Sequence, residues 1–256
     1  ETPEETMANI FKFFDGKDIE ALGVGCFGPI DPDLNSPTYG YITTTPKPGW
    51  GNFNIMGALK ERYDIPYVVA GMPYGIKGTL RWLEKITAVL PTDISSIYEE
   101  CAKMAEELVS ASNEARVTWG ELWFDKIIVA APGSTAVCIA QALREEWADT
   151  EKLTVICQNQ VKRLPLLQEA DEILIAAQDS KKIEQLLHQA DNALILGSSS
   201  ESSVLMRENK HFYACNIAYP VQDELLLAAA PFAGIRGAGH MLQRLWNLKI
   251  RSHLLY

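Results

Sequence analysis

The chain has 256 residues, 47% of them hydrophobic and 22% charged, with a net charge of -10 at pH 7. That is globular composition with room for two buried cores, and its negative field argues against nucleic acid or an anionic membrane as the main partner. No apolar run approaches the ~20 residues of a membrane span. The opening Glu1-Thr2-Pro3-Glu4-Glu5 lacks the basic and apolar regions of a signal peptide, and a cytoplasmic protein is expected from the cysteine usage.

Residues 21–25 read as a buried strand, and residues 28–51, dense in Pro, Gly, Asp, Asn, Ser and Thr, as a loop with a short hairpin near 39–43. A helix is expected over 53–63 and a strand over 65–70. Alternation then becomes regular. Helices are predicted over 78–89 and 94–118, a strand over 126–131, a helix over 134–147 and a strand over 153–157. Further strands follow at 172–176, 193–197 and 211–217, with helices at 180–189 and 201–209 between them. A last helix runs from about 236 to 253. Strand, crossover helix and strand in repetition predict an α/β fold, with Rossmann-like parallel sheets flanked by helices and a smaller α/β N-terminal segment.

Five cysteines (Cys26, Cys101, Cys138, Cys157 and Cys215) are an odd number, with no C-x-x-C pair. They are expected to be reduced and packed as small hydrophobes. The four histidines show no H-x-x-x-H spacing, so no local metal site is predicted. Asp31 and Asp33 flank a proline, which suits turn chemistry as well as acid–base chemistry. The acidic run Glu99, Glu100, Glu106 and Glu107 with Lys103 reads as a solvated helix face.

Ligands of open α/β sheets bind beyond the carboxyl ends of the strands. Three turns are expected there: Gly71 to Thr79, Ala131 to Thr135, and Gly197 to Glu201. Each would follow a strand and open a helix, where free N–H groups favour an anion. Gly, Ser and Thr are also what tight turns and helix caps require. The candidate ligand-binding residues are Tyr74, Gly75, Thr79, Ser134 and Ser198. No catalytic residue and no metal ligand is assigned.

Two stretches carry family resemblances. Gly25-Cys26-Phe27-Gly28-Pro29-Ile30-Asp31, Ser36-Pro37-Thr38-Tyr39-Gly40 and Thr43-Thr44-Thr45-Pro46-Lys47-Pro48-Gly49-Trp50 resemble ROK-family sugar kinases, near the bacterial fructokinase branch, over residues 2–66. The resemblance implies part of the N-terminal lobe of an actin-like ATPase fold, with residues 28–31 and 47–50 near the sugar. The family's Asp-x-Asn-Ala-Ala motif, whose aspartate is the catalytic base, would come next. Tyr67-Val68-Val69-Ala70-Gly71 stands there instead, and the phosphate loops and zinc motif are absent. Phosphoryl transfer needs base, metal and phosphate cradle together.

Pro73-Tyr74-Gly75-Ile76-Lys77-Gly78-Thr79-Leu80-Arg81-Trp82-Leu83 resembles nitrogenase component 1 and its relatives. So does Ala230-Pro231-Phe232-Ala233-Gly234-Ile235-Arg236-Gly237-Ala238, with residues 193–201 and 212–220 keeping that family's order between them. This resemblance covers residues 67–256. It implies Rossmann-like domains and reduction with electrons delivered through iron–sulfur clusters, with a reductase or companion subunit as partner. Where catalytic members carry a cofactor-ligating histidine, this chain has Ala233, and Cys101, Cys138, Cys157 and Cys215 do not match the cluster motifs.

The expected organisation is therefore a ROK-like segment (1–66) and two Rossmann-like units (67–160 and 161–256), with a join near 62–71, as in a chimera. Three functions remain open. They are reduction beside a partner, with an iron–sulfur cluster implied by the resemblance alone; hexose phosphorylation with Mg-ATP; and non-catalytic binding or scaffolding.

Overall fold

A computed structural model describes residues 1–26, 30–31, 33–43, 45, 47–158, 170–208, 211–217 and 232–254, with the side chains of residues 134, 253 and 254 left aside. The first element is a helix not expected from the sequence pattern, α1 (Pro3–Phe14). It opens on a capping box: the Thr2 hydroxyl accepts from the Glu5 N–H, the Glu5 carboxylate accepts from the Thr2 N–H, and proline occupies the first turn. The second helix, α2 (Ile55–Tyr63), begins where the Asn54 side chain accepts from the Gly57 N–H at 2.8 Å. Between them, antiparallel bridges join Ile30 to Ile42 and Ile42 to Phe53, close to the expected hairpin. Met7, Ile42, Trp50, Ile55 and Leu59 form a small core of their own.

The strands expected at 21–25 and 65–70 are irregular. A strand needs a neighbour for its N–H and C=O groups, and among the described residues neither segment has a ladder partner. Leu22 and Cys26 pack against the small core instead. Near 65–70, Tyr67 stacks on Tyr39 with ring centroids 5.5 Å apart, and the Val69 N–H donates to the Tyr39 hydroxyl at 2.8 Å.

Five parallel strands follow: β1 (Trp123–Ala131), β2 (Asp149–Cys157), β3 (Glu172–Ile175), β4 (Ala193–Gly197) and β5 (Phe212–Asn216). They form a single sheet in the order β3-β2-β1-β4-β5, which takes strands from both sides of residue 160. Val129 of β1 pairs with Val155 of β2 and Leu196 of β4. Ile127, Val129 and Ala131 face α5 (Gly133–Ala142) and α8 (Gly234–Leu254), whereas Ile128 and Ala130 face α6 (Ser180–Gln189) and α7 (Ser199–Arg207). Burial on both faces explains the unbroken apolar run of β4. The crossover through α5 moves one way across the sheet on one face. That through α7 moves the opposite way on the other face, so both have the same hand.

Outside α8 lie α3 (Gly75–Thr87) and α4 (Ser95–Trp119). The helix expected over 134–147 is α5 followed by a π-turn, Leu143–Trp147, closed by an Ala148 N–H to Leu143 C=O bond of 3.2 Å. The wider turn keeps Leu143 and Trp147 in the core, turns Glu145 and Glu146 toward α3, and lets Arg144 pair with Asp171 and the Thr150 carbonyl. Residues 27–29, Thr44, Pro46, Asn209, 218–220, Ala230 and Pro231, all used in the sequence reading, lie outside the described residues.

Candidate functional site

The two stretches that carry the most specific motifs, 73–83 and 231–238, come together in space. Tyr74 bridges Ala233 in antiparallel fashion, and the Gly234 N–H donates to the Pro73 carbonyl at 2.8 Å. Tyr74 and Phe232 are both buried in the main core. Gly237 makes this approach possible, since a Cβ there would lie 2.2 Å from the Phe232 carbonyl carbon.

Helix α3 begins at this junction. Gly75 has φ +73°, and the space a side chain would take is filled by the Glu146 carboxylate, 2.6 Å from the ideal Cβ position. That carboxylate accepts from the Ile76 and Lys77 N–H groups, each at 2.7 Å. The anion expected at this turn is therefore the chain's own glutamate. Burial pushes the Glu146 carboxyl above the usual range, against the two backbone N–H bonds and Lys77, which pull it down. Thr79 is also engaged internally, its hydroxyl donating to the Gly75 carbonyl at 2.7 Å. Because residues 65–70 form no strand, this turn does not follow one as expected. It docks instead on the π-turn that leads into the amino end of β2. Arg81 reinforces the docking through an ion pair with Glu145 at 2.9 Å.

The other two turns do lie at the carboxyl edge, after β1 and β4, the adjacent strands between which the sheet order reverses. Ser198 is buried and caps α7. Its hydroxyl accepts from the Ser200 N–H, and the Glu201 carboxylate takes the Ser198 N–H at 2.9 Å and lies 3.0 Å from the Ser198 hydroxyl. Gly197 leaves the space for Glu201, which lies 2.8 Å from its ideal Cβ position. Ser134 is in the first turn of α5, where Pro132 precedes the helix and no side chain caps it. At 1.5 Å per residue, Ser134 lies roughly 18 Å along the helix from Glu146. The structure thus divides the five candidates into two groups, Tyr74, Gly75 and Thr79 at one end of α5 and Ser134 and Ser198 at the other.

Glu146 was not among the candidates, and its partners are some 70 residues away in the chain. Glu201 had a local signal, the Ser198-x-x-Glu201 capping box. Glu146 also borders a polar pocket of about 190 Å³ between the π-turn, α4 and α8, where Ser112, Arg116, Trp147 and Trp246 contribute. The Trp246 indole N–H donates to the Ser112 hydroxyl there at 3.2 Å. Asp31 proves to be turn chemistry, accepting from the Ser36 and Thr38 hydroxyls at 2.5 and 2.7 Å and from the Asp33 N–H.

All five thiols are placed, and they are dispersed: Cys26 by the small core, Cys101 on α4, Cys138 on α5, Cys157 on β2 and Cys215 on β5. Burial raises Cys101 and Cys138 and pushes Cys157 up to about 11, which disfavours the thiolate that a cluster requires. Among the described residues no group of three His, Cys, Asp or Glu side chains could hold a metal ion. These residues do not fit a thiolate-bound iron–sulfur cluster held by this chain alone.

Comparison with known proteins finds two families on the one chain. The profile described as nitrogenase component 1 type oxidoreductase matches residues 49–249, and that of the ROK family matches residues 1–71. The ranges share 49–71, which contains the join expected near 62–71. A fructokinase of Lactococcus lactis subsp. cremoris is 55% identical over 65 residues, covering 25% of this chain and 22% of that protein. A fructokinase of Pediococcus pentosaceus is 51% identical over 65 residues, covering 25% and 23%. The chain thus spans under a quarter of these curated relatives. The solved structure of nitrogenase Cp1 at pH 6.5 superposes with a TM-score of 0.59 at 12% identity, over 80% of this chain and 44% of that one. That likeness is one of fold. No helix among the described residues is long and apolar enough to cross a membrane.

Proposed function

The chain belongs to the nitrogenase component 1 type oxidoreductases, and from that premise we propose that it takes part in reductive chemistry as a framework subunit, beside a companion subunit or reductase that holds the redox centre. The observation that carries this reading is the contrast between its framework and its ligands. The two family motifs are joined at Tyr74 and Ala233 over a five-stranded parallel sheet, while the thiols are dispersed, and Cys101, Cys157 and Cys215 are buried. The test is anaerobic purification from the native source, with iron and labile sulfide measured on the complex and on the chain separated from it. Iron that stays with the companion is the expected result. Stoichiometric iron and sulfide on the separated chain, or a complex without iron, overturns the proposal. A complex whose turnover is unchanged when the chain is removed points to a scaffold instead.

The N-terminal match at 55% identity favours a second reading, a hexose kinase. The position expected to hold the base is taken by Tyr67 to Gly71, and Asp31 is tied into its own turn. A coupled assay with fructose or mannose and Mg-ATP is expected to show no turnover. ADP formation that depends on the sugar would replace the first reading with this one.

A further inference from the structure

Glu146 ties the π-turn to the backbone at the junction of the two motifs. Its oxygens accept from two consecutive N–H groups in the first turn of α3, where the helix dipole adds to each bond. Tyr74, at the cap position, supplies no side-chain cap. Gly75, which has no side chain to obstruct it, is followed by the two donors and preceded by the Tyr74–Ala233 bridge. We propose that Glu146 is a proton-sensitive latch: ionised, it clamps the start of α3 to the π-turn, and protonated, it releases that turn and loosens the backbone pairing of Pro73 and Tyr74 with Ala233 and Gly234.

The chemistry follows from donor and acceptor count. An ionised carboxylate offers two acceptors to two N–H groups, whereas a protonated one sets an O–H against one of those donors, and that bond is lost. Lys77 and the two N–H bonds favour the ionised form, but burial, the larger influence, opposes them. Lys77 and Arg81 approach from α3, but Arg81 is paired with Glu145 and the Lys77 ammonium donates to the Glu145 carbonyl. Glu145 on the same turn repels it and the Cys101 thiol faces it from α4, while Arg116 of α4 and Arg144 of the turn, which line the pocket it borders, are paired with Glu121 and Asp171. Among the described residues Glu146 takes part in no ion pair. Its folded value is raised, so the native state holds the proton more readily than the unfolded chain. Its contribution to stability is therefore fullest below the ordinary glutamate value and falls as pH rises through the folded value. Ionisation therefore closes the latch at a cost in stability, and protonation opens it locally as pH falls through the folded value.

The experiment is a pH titration of the full chain followed by amide NMR. The Ile76 and Lys77 N–H signals should shift together with one midpoint above the ordinary glutamate range, and below it both amides should lose protection relative to their intrinsic exchange rates. Glu146→Gln should abolish this titration, while Glu145→Gln keeps it. Amides that ignore pH, or a titration that survives Glu146→Gln, overturn the proposal. If Glu146→Gln fails to fold, the Glu146 carboxyl carbon of the unaltered chain is followed directly. A midpoint above the ordinary value then supports the latch, and one at or below that value overturns it.

Discussion

Two glycines decide how the motif junction is built, for different reasons. At Gly75 the backbone is left-handed, φ +73°, and the Glu146 carboxylate fills the side-chain space. Alanine there must accept that conformation and displace the carboxylate, for a loss of roughly 1–3 kcal/mol. Urea denaturation of Gly75→Ala should show it, and an unchanged midpoint would mean the carboxylate does not occupy this space in solution. Gly237 has no such backbone constraint. In a helix interior, Gly to Ala ordinarily gains up to about 1 kcal/mol. Here the added carbon would meet the Phe232 backbone at 2.2 to 2.9 Å, so the sign reverses. Gly237→Ala should lower stability by about 1–3 kcal/mol, as overpacking does. A stabilised variant would show that Phe232 does not pack there.

At the scale of elements, α6 and α7 are tied by one histidine on the outer face of the sheet. His188 of α6 lies 2.7 Å from the Glu208 carboxylate, just beyond α7, and 3.7 Å from Glu184. The hydrogen bond to Glu208 is the main cause that raises its value. A raised histidine contributes stability that is full below the ordinary value near 6.5 and lost as pH rises through the folded value. The melting temperature of His188→Gln should therefore fall further below that of the unaltered chain at pH 6 than at pH 8. Equal differences at the two pH values would show that the contact is not ionic. The elements most legible in the sequence were those whose identity is settled by burial on both faces. Residues 193–197 and 180–189 were placed to the residue, because a doubly buried strand is wholly apolar and an exposed helix is periodic. Residues 21–25 and 65–70 are also largely apolar but have no partner strand among the described residues, and pairing is a property of the rest of the chain. Glu146 was illegible for a related reason. Its donors lie some 70 residues earlier, and a π-turn, not a sequence motif, brings it to them. The α1 capping box, in contrast, is local: Thr2 and Glu5 stand three residues apart around Pro3.

For the molecule as a whole, the ROK-family match holds a small core apart from the sheet, of which Trp50, Ile55 and Leu59 also fall in the stretch 49–71 shared by both matches. Met7, Ile42, Trp50, Ile55 and Leu59 pack among themselves, and none belongs to the clusters that hold the sheet. The chain passes from one to the other through residues 64–74, which are irregular up to the Tyr74 bridge. Such a division predicts unfolding in parts rather than all at once. Ile42 is fully buried in the smaller core, where its replacement by alanine removes about 2–5 kcal/mol. A core of so few side chains has little beyond that to lose. In Ile42→Ala, hydrogen exchange should therefore accelerate throughout α1 and α2, while the amides of β1 and β4 keep the protection they have in the unaltered chain. The Ile76 and Lys77 amides, on the sheet side of the join, should also be unchanged. Loss of protection in β1 and β4 to the same degree would mean that the ROK-like segment supports the sheet, and that the two parts fold as one cooperative unit.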